Sequence, residues 1–182
     1  ATFQWNTVPF QLLCLPRANL SYVRSDNTFS LVRNLEFLND RTFMMMYRWD
    51  LNGKLFNRIP LIKKLKLREA IGFNVMWGYL TDKNNPLRFQ DTNRYPDEAS
   101  KMADPGYNYL YNLPGEWVTA QDGTQTYQPL TQIMNSWKPY VEVNVGIHNI
   151  FKFFSVDYYH RLTYNTPNTQ KWGVRFEFEA SF

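Results

Sequence analysis

Residues 171–182 read Lys-Trp-Gly-Val-Arg-Phe-Glu-Phe-Glu-Ala-Ser-Phe and alternate between two classes of side chain. The even positions are all apolar: Trp172, Val174, Phe176, Phe178, Ala180 and Phe182. The odd positions are charged, hydroxylic or glycine. Successive side chains of a β-strand point to opposite faces, so this segment predicts a strand with one apolar and one polar face.

Four earlier segments show the same period of two, at 42–51, 64–80, 137–148 and 151–164. They predict an all-β, antiparallel fold in which neighbouring segments form hairpins with their polar faces on the same side. The joint at Asn149-Ile150 is predicted as a two-residue turn, and 164–170 as a longer turn. Residues 1–41 are predicted as a loop with weak strands, and 81–136 as a long external loop.

Composition excludes several classes of protein. Of the 182 residues, 44% are hydrophobic and 18% aromatic, which excludes a disordered chain. The longest apolar run, Phe43 to Tyr47, is far shorter than the roughly 18 to 20 residues of a membrane-spanning helix. One cysteine, Cys14, excludes an internal disulfide, and with two histidines it gives no metal-site pattern. The net charge of +4 is too small to indicate nucleic acid, and nothing indicates a cofactor.

Alternating strands suit either a soluble sandwich or barrel, or a membrane barrel whose apolar faces meet lipid. The segments are 10 to 17 residues long, against a usual strand length of about 5 to 6, which favours the membrane barrel. Aromatic side chains near the segment ends favour it too, because such rings prefer the headgroup depth. The predicted lipid-facing and girdle residues are Phe43, Trp49, Trp77, Tyr79, Trp172, Phe176, Phe178 and Phe182.

The polar faces are predicted to line the interior of the barrel with mixed charge. The predicted lumen-facing residues are Glu142, Asn144, Asp157, Arg161, Arg175, Glu177 and Glu179. We interpret them as structural and predict no enzymatic activity. The sharpest catalytic alternative is Ser155, Asp157 and His160, but alternation places His160 on the opposite face from the other two.

Two further features admit a binding role. The 81–136 segment carries Tyr107, Tyr109, Tyr111 and Trp117, which suit a glycan or protein partner. The run Lys63-Lys64-Leu65-Lys66-Leu67-Arg68 suits anionic lipid, although its alternation is interpreted here as the polar side of a strand start.

The strand sequences resemble the C-terminal end of the outer-membrane assembly and surface-antigen superfamily. That superfamily contains the assembly insertase barrel, the translocation-and-assembly module and two-partner secretion transporters. The resemblance rests on Tyr-Arg-Trp-Asp-Leu at 47–51, Leu-Arg-Glu-Ala-Ile-Gly-Phe-Asn at 67–74, Val-Asn-Val-Gly-Ile at 143–147, Phe-Ser-Val-Asp-Tyr at 154–158 and Gly-Val-Arg-Phe-Glu-Phe at 173–178.

Two strings are similar to one particular outer-membrane family, whose members place a carboxypeptidase-regulatory-like domain ahead of the barrel. They are Asn-Leu-Glu-Phe-Leu-Asn-Asp-Arg at 34–41 and Val-Gly-Ile-His-Asn-Ile-Phe-Lys at 145–152. The resemblance implies the last five strands of a sixteen-stranded transmembrane barrel in the bacterial outer membrane, with the C-terminus on the periplasmic side. Its implied partners are lipid, the remaining barrel strands or other membrane proteins, and the assembly machinery acting on the C-terminal strand.

Three functions follow as expectations. The first is a membrane-embedded scaffold with a role in outer-membrane protein assembly or translocation, which only the resemblance implies. The second is a passive channel or a surface-binding barrel with its specificity in 81–136. The third is a soluble ligand-binding β-barrel.

Overall fold

The computed structural model describes residues 1–6, 12–104, 115–119, 123 and 125–178. Their strands are β1 (Thr2–Phe3), β2 (Arg41–Asp50), β3 (Arg68–Tyr79), β4 (Gly115–Thr119), β5 (Gln125–Pro129), β6 (Tyr140–Ile150), β7 (Phe154–Arg161) and β8 (Trp172–Phe178). The short helices are α1 (Pro60–Lys63) and α2 (Glu98–Met102), with 3-10 turns at Phe56–Arg58, Asp82–Asn84 and Pro86–Gln90. Among these residues no helix has the length and apolar character needed to cross a membrane.

Six strands form one antiparallel sheet in the order β1-β2-β3-β6-β7-β8, while β4 and β5 form a separate hairpin. The predicted antiparallel pairing is therefore confirmed, while the architecture is mostly β with a few short helices where an all-β fold was predicted. Within the described residues the sheet stays open and does not close into a barrel.

The register places the polar positions of neighbouring strands beside one another, as the alternation predicts. Gly72 of β3 pairs with Asn144 of β6. Glu142 of β6 pairs with Arg161 of β7, and Asp157 of β7 pairs with Arg175 of β8. One face of the sheet therefore carries these charged side chains. The register matters because a slip of one residue would move every side chain of a strand to the opposite face.

Two joints differ from the sequence prediction. Strand β6 continues through the predicted turn to Ile150, and the chain reverses at 151–153 instead, where Phe151 and Lys152 have φ of 51° and 75°. Strand β3 begins at Arg68 and not at 64, because Pro60 opens the helical turn α1 and Lys66, with φ of 53°, ends the connection.

The chain divides into two compact units. The first comprises Ala1–Leu15, Leu35–Phe43 and Trp77–Trp137. Its apolar core contains Leu13, Leu38 and Leu80. Asp40 is buried beside that core, where its Oδ2 atom accepts hydrogen bonds from the Thr81 main chain at 3.1 Å and from Asn84 Nδ2 at 2.9 Å.

The second unit comprises Pro16–Asn34, Met44–Met76 and Lys138–Phe182. Its fully buried apolar side chains include Phe29, Leu31, Met76 and Tyr140. Phe29 meets the Tyr140 ring edge-on with 5.6 Å between centroids. Residues of Pro16–Asn34 and of β6 therefore share one core, which fixes that segment against the sheet.

Gly72 lies where β2 and β3 approach too closely for a side chain. A Cβ atom there would lie 2.5 Å from the Tyr47 carbonyl oxygen and 2.6 Å from Asn144 Oδ1. The Tyr47 oxygen belongs to the main chain, so it can move only if the strand moves. This position therefore requires glycine.

We expect Gly72→Ala to lower the free energy of unfolding by about 1 to 3 kcal/mol, the usual cost of forcing extra volume into packed structure. Urea unfolding followed by tryptophan fluorescence measures the change. Gly173→Ala is the matched control with a smaller expected loss, because its neighbours are side-chain ends, Gln170 Nε2 at 2.9 Å and Leu31 Cδ2 at 3.0 Å. Equal losses for the two variants would contradict the steric argument.

Candidate functional site

The sheet of the second unit carries its charged side chains on the buried face. Glu142, Asp157 and Arg161 are 0% exposed, and Asn144 and Arg175 are also buried. Residues Pro16–Asn34, which we call the covering segment, make the contacts that exclude water from this face. A soluble protein normally buries its apolar face and leaves its charges in water, so the arrangement is reversed.

Glu142 is the carboxylate that anchors the covering segment. Its Oε1 atom accepts hydrogen bonds from the main-chain N–H of Ser30 at 2.8 Å and from Asn74 Nδ2 at 2.8 Å. Its Oε2 atom accepts from the Leu31 main chain at 3.1 Å and from the Tyr140 hydroxyl at 2.8 Å. These donors replace the water that a buried carboxylate would otherwise need.

Two buried arginines hold the same stretch through its carbonyl groups. Arg161 Nη1 donates to the Leu31 oxygen at 3.3 Å, and its guanidinium lies 4.8 Å from the Tyr140 ring centroid. Arg175 Nη2 donates to the Asn19 oxygen at 3.2 Å and also to the Ser30 oxygen. The sheet thus binds both the N–H and the carbonyl of Ser30, which fixes the main chain of the covering segment and not merely a side chain.

A second charged cluster lies on the same face around Asp157. Its Oδ1 atom lies 3.2 Å from Arg48 Nη2 and 3.2 Å from His148 Nε2. In the covering segment, Arg24 Nη2 lies 2.5 Å from Glu177 Oε1, and Arg24 Nε lies 4.0 Å from Asp157 Oδ2. Two carboxylates thus face two guanidinium groups and one imidazole, so the buried charges are paired.

Two polar cavities, each of about 340 Å³, adjoin this cluster. Arg24 and Arg48 line both of them. Ser155 and Glu177 line the first, and Asn144 lines the second. Such space suits water or a small polar solute held by the charges of the wall.

The structure does not bring Ser155, Asp157 and His160 together. Ser155 and Asp157 are buried on the polar face, whereas His160 is exposed on the other face, where its Nδ1 atom lies 3.3 Å from the Tyr158 hydroxyl. Across the described residues, no group of three or more His, Cys, Asp or Glu side chains could hold a metal ion.

The opposite face of the sheet is mostly apolar and exposed, apart from Glu69 and Val75 of β3, which are buried. Trp172 is 60% exposed, Phe178 70% and Val145 54%. The other predicted lipid-facing residues that are exposed are Phe43, Trp49, Trp77 and Tyr79. Phe176 is half-buried because it stacks on Phe154 with 5.7 Å between ring centroids. Phe182 lies outside the described residues.

The predicted lumen-facing residues fall together on the buried face wherever the structure describes them. Glu177 is half-buried in its ion pair with Arg24, and Glu179 lies outside the described residues. Of the predicted loop-binding residues, Tyr107, Tyr109 and Tyr111 also lie outside them. Trp117 lies in β4 opposite Tyr127, and its side chain is outside the described set.

The predicted lumen-facing set omits four contributors to this site: Arg24, Ser30, Arg48 and His148. Alternation does place Arg48 and His148 on the polar faces of their segments. Ser30 acts through its main chain and Arg24 lies outside any periodic segment, so neither gives a signal in the sequence.

No model of a known family, no curated protein and no solved structure matches the chain. What the protein does is therefore inferred from the geometry of its two faces.

We expect Glu142→Ala to release the covering segment, because the main-chain donors of Ser30 and Leu31 would be left buried without an acceptor, at about 1 to 3 kcal/mol each. Limited digestion with trypsin measures the release as faster cleavage at Arg17 and Arg24. Asp26→Ala removes a carboxylate whose side chain is 78% exposed on the same segment, and it should leave the cleavage rate at Arg17 unchanged. If Glu142→Ala is cleaved no faster than the wild type, this carboxylate does not anchor the segment.

Proposed function

We propose that this chain forms part of the wall of a β-barrel in the bacterial outer membrane, with its apolar face towards lipid and its polar face towards the barrel interior. The observation that carries the proposal is the reversed polarity of the sheet. Val145 is 54% exposed while its neighbours Glu142 and Asn144 are buried. Hydrocarbon is the solvent in which that arrangement is stable.

In water, exposure of the same apolar face would be energetically unfavourable. Burying apolar surface is worth about 25 cal/mol per Å², and soluble monomers rarely expose large contiguous apolar patches. Phe43, Met45, Tyr47 and Trp49 follow one another on the exposed side of β2 alone. The reversed polarity therefore argues against the soluble ligand-binding barrel.

The lengths of three strands support a membrane wall, whereas β7 and β8 have 8 and 7 described residues. Strands β2, β3 and β6 contain 10, 12 and 11 residues. A spanning strand needs about 9 to 11 residues when it is tilted by about 45°. Trp77 and Tyr79 end β3 while Trp172 begins β8, and aromatic rings at strand ends suit the interface between lipid and water.

The open sheet requires further strands if it lies in lipid, because unpaired main-chain groups cannot face hydrocarbon. Strand β1 pairs with only Arg41 and Thr42 of β2. In the part of the chain that the structure describes, the rest of that edge has no partner strand. We therefore propose that strands outside this sheet complete the barrel, and the resemblance implies sixteen in all.

Within such a barrel, the covering segment would occupy interior space beside the wall. Its bonds to Glu142, Arg161 and Arg175 support a packed scaffold more than a passive channel. A role in outer-membrane protein assembly or translocation, and recognition of the C-terminal strand by the assembly machinery through strand addition, are proposed from the resemblance. The periplasmic placement of the C-terminus belongs to the same proposal.

The test places a charge at the centre of the exposed face. We expect Val145→Arg to lower the free energy of unfolding in phospholipid vesicles by about 2 to 4 kcal/mol, the cost of arginine near the middle of the bilayer. Urea titration of the vesicle-embedded protein measures it. In a soluble protein the same exposed substitution would change stability by at most about 0.5 kcal/mol.

Thr92→Arg is the control, because Thr92 is exposed in the 81–136 segment, which the proposal places outside lipid. It should leave the free energy of unfolding unchanged. A chain that dissolves without detergent, together with a neutral Val145→Arg variant, would contradict the membrane location.

A further inference from the structure

A groove lies at the end of the second unit's sheet where β8 ends. It has a volume of about 840 Å³ and runs between residues 64–68 and 147–152. Ile150 pairs with Phe154, and Phe154 pairs with Phe178, which places the groove and Phe178 at the same end of the strands. In the orientation proposed above, this end is the periplasmic one.

The two walls of the groove are joined by a direct hydrogen bond. The side-chain Nδ2 of Asn149 donates to the carbonyl oxygen of Lys66 at 2.7 Å. Lys66 has φ of 53° and Asn149 has φ of 62°, so both residues make local turns in the main chain. The connection before β3 and the turn after β6 are thereby held side by side.

Cations line the groove. Lys64, Lys66, Arg68 and Lys152 are all exposed and all contribute to its walls. Within the described part of the chain, none of the four forms an ion pair. Residues 63–67 of the basic run therefore precede β3, which begins at Arg68, and the charges of Lys64, Lys66 and Arg68 are available to a ligand.

Apart from Asn149, the rest of the groove is lined by apolar residues. Leu65 is 62% exposed and Phe151 80% exposed, and both lie beside Ile147, which belongs to the exposed apolar face of the sheet. The groove is thus continuous with the face that the proposed function assigns to lipid. A ligand that fits it carries negative charge at one end and hydrocarbon at the other.

We propose that this groove binds an anionic phospholipid, with the phosphate among the lysines and an acyl chain along Leu65, Phe151 and Ile147. The charge complementarity selects an anionic headgroup, and the apolar wall selects a lipid over a free anion. The inference rests on the proposed function, because it needs the exposed face to lie in a membrane. It adds a specific lipid partner at one end of the strands.

The experiment measures binding of fluorescent phosphatidylglycerol to the whole chain in micelles of an uncharged detergent, with fluorescent phosphatidylcholine as the reference lipid. The test variant is Lys64→Gln/Lys66→Gln/Lys152→Gln. The matched control is Lys54→Gln/Arg58→Gln/Lys63→Gln, which removes the same charge from exposed residues that do not line the groove. A third variant, Lys64→Arg/Lys66→Arg/Lys152→Arg, keeps the charge.

The wild type should bind phosphatidylglycerol more tightly than phosphatidylcholine. The test variant should lose about fivefold in affinity per lysine, which is on the order of a hundredfold in total, as expected for lysines near an anionic lipid surface. The control and the arginine variant should keep most of the affinity. Added inorganic phosphate should not displace the lipid, because phosphate does not use the apolar wall.

Three results would overturn the inference: no preference for phosphatidylglycerol, equal losses in the test and control variants, or displacement by inorganic phosphate. The second result would mean that the charge acts diffusely and not through the groove. A chain that stays in solution without detergent would contradict both proposals. A chain that embeds in vesicles but shows no lipid preference would contradict only this one.

Discussion

Burial of the Glu142 carboxylate is the constraint on which the second unit depends. An ionised carboxylate removed from water is costly unless hydrogen bonds replace its hydration. Ser30, Leu31, Asn74 and Tyr140 supply those bonds, and two of these donors are main-chain groups of the covering segment. The Glu142 carboxylate can therefore stay buried only while that segment remains in place. The segment is thus a structural part of the sheet.

The reversed polarity of the sheet follows from that arrangement. Because the charged side chains are buried, the alternate positions carry the apolar side chains outward. Lipid is the environment that stabilises such a face, and it leads directly to the two proposals. In these proposals the wall would meet hydrocarbon along its strands, and the groove at Lys66 and Phe151 would meet headgroups at their end.

The outer edge of β8 forms main-chain hydrogen bonds with residues 22–24. The Phe176 N–H donates to the Tyr22 oxygen at 2.8 Å, and the Arg24 N–H donates to the Phe176 oxygen at 2.7 Å. Such contacts protect an edge strand from unwanted pairing. In the proposed barrel the next strand would compete with residues 22–24 for this edge, so closure of the wall would have to displace these two hydrogen bonds.

Alternation alone determined five of the described strands, β2, β3, β6, β7 and β8, with their antiparallel pairing and the parity of their faces, because a period of two needs only local geometry. It correctly separated His160 from Ser155 and Asp157. The tertiary structure alone decided which residues meet the buried face, since Ser30 acts through its main chain and Arg24 through a contact 153 positions away. It also moved the start of β3 to Arg68 and left the basic run lining a groove. Contacts between residues far apart in the chain leave no periodic signal, so they appear only once the chain is folded.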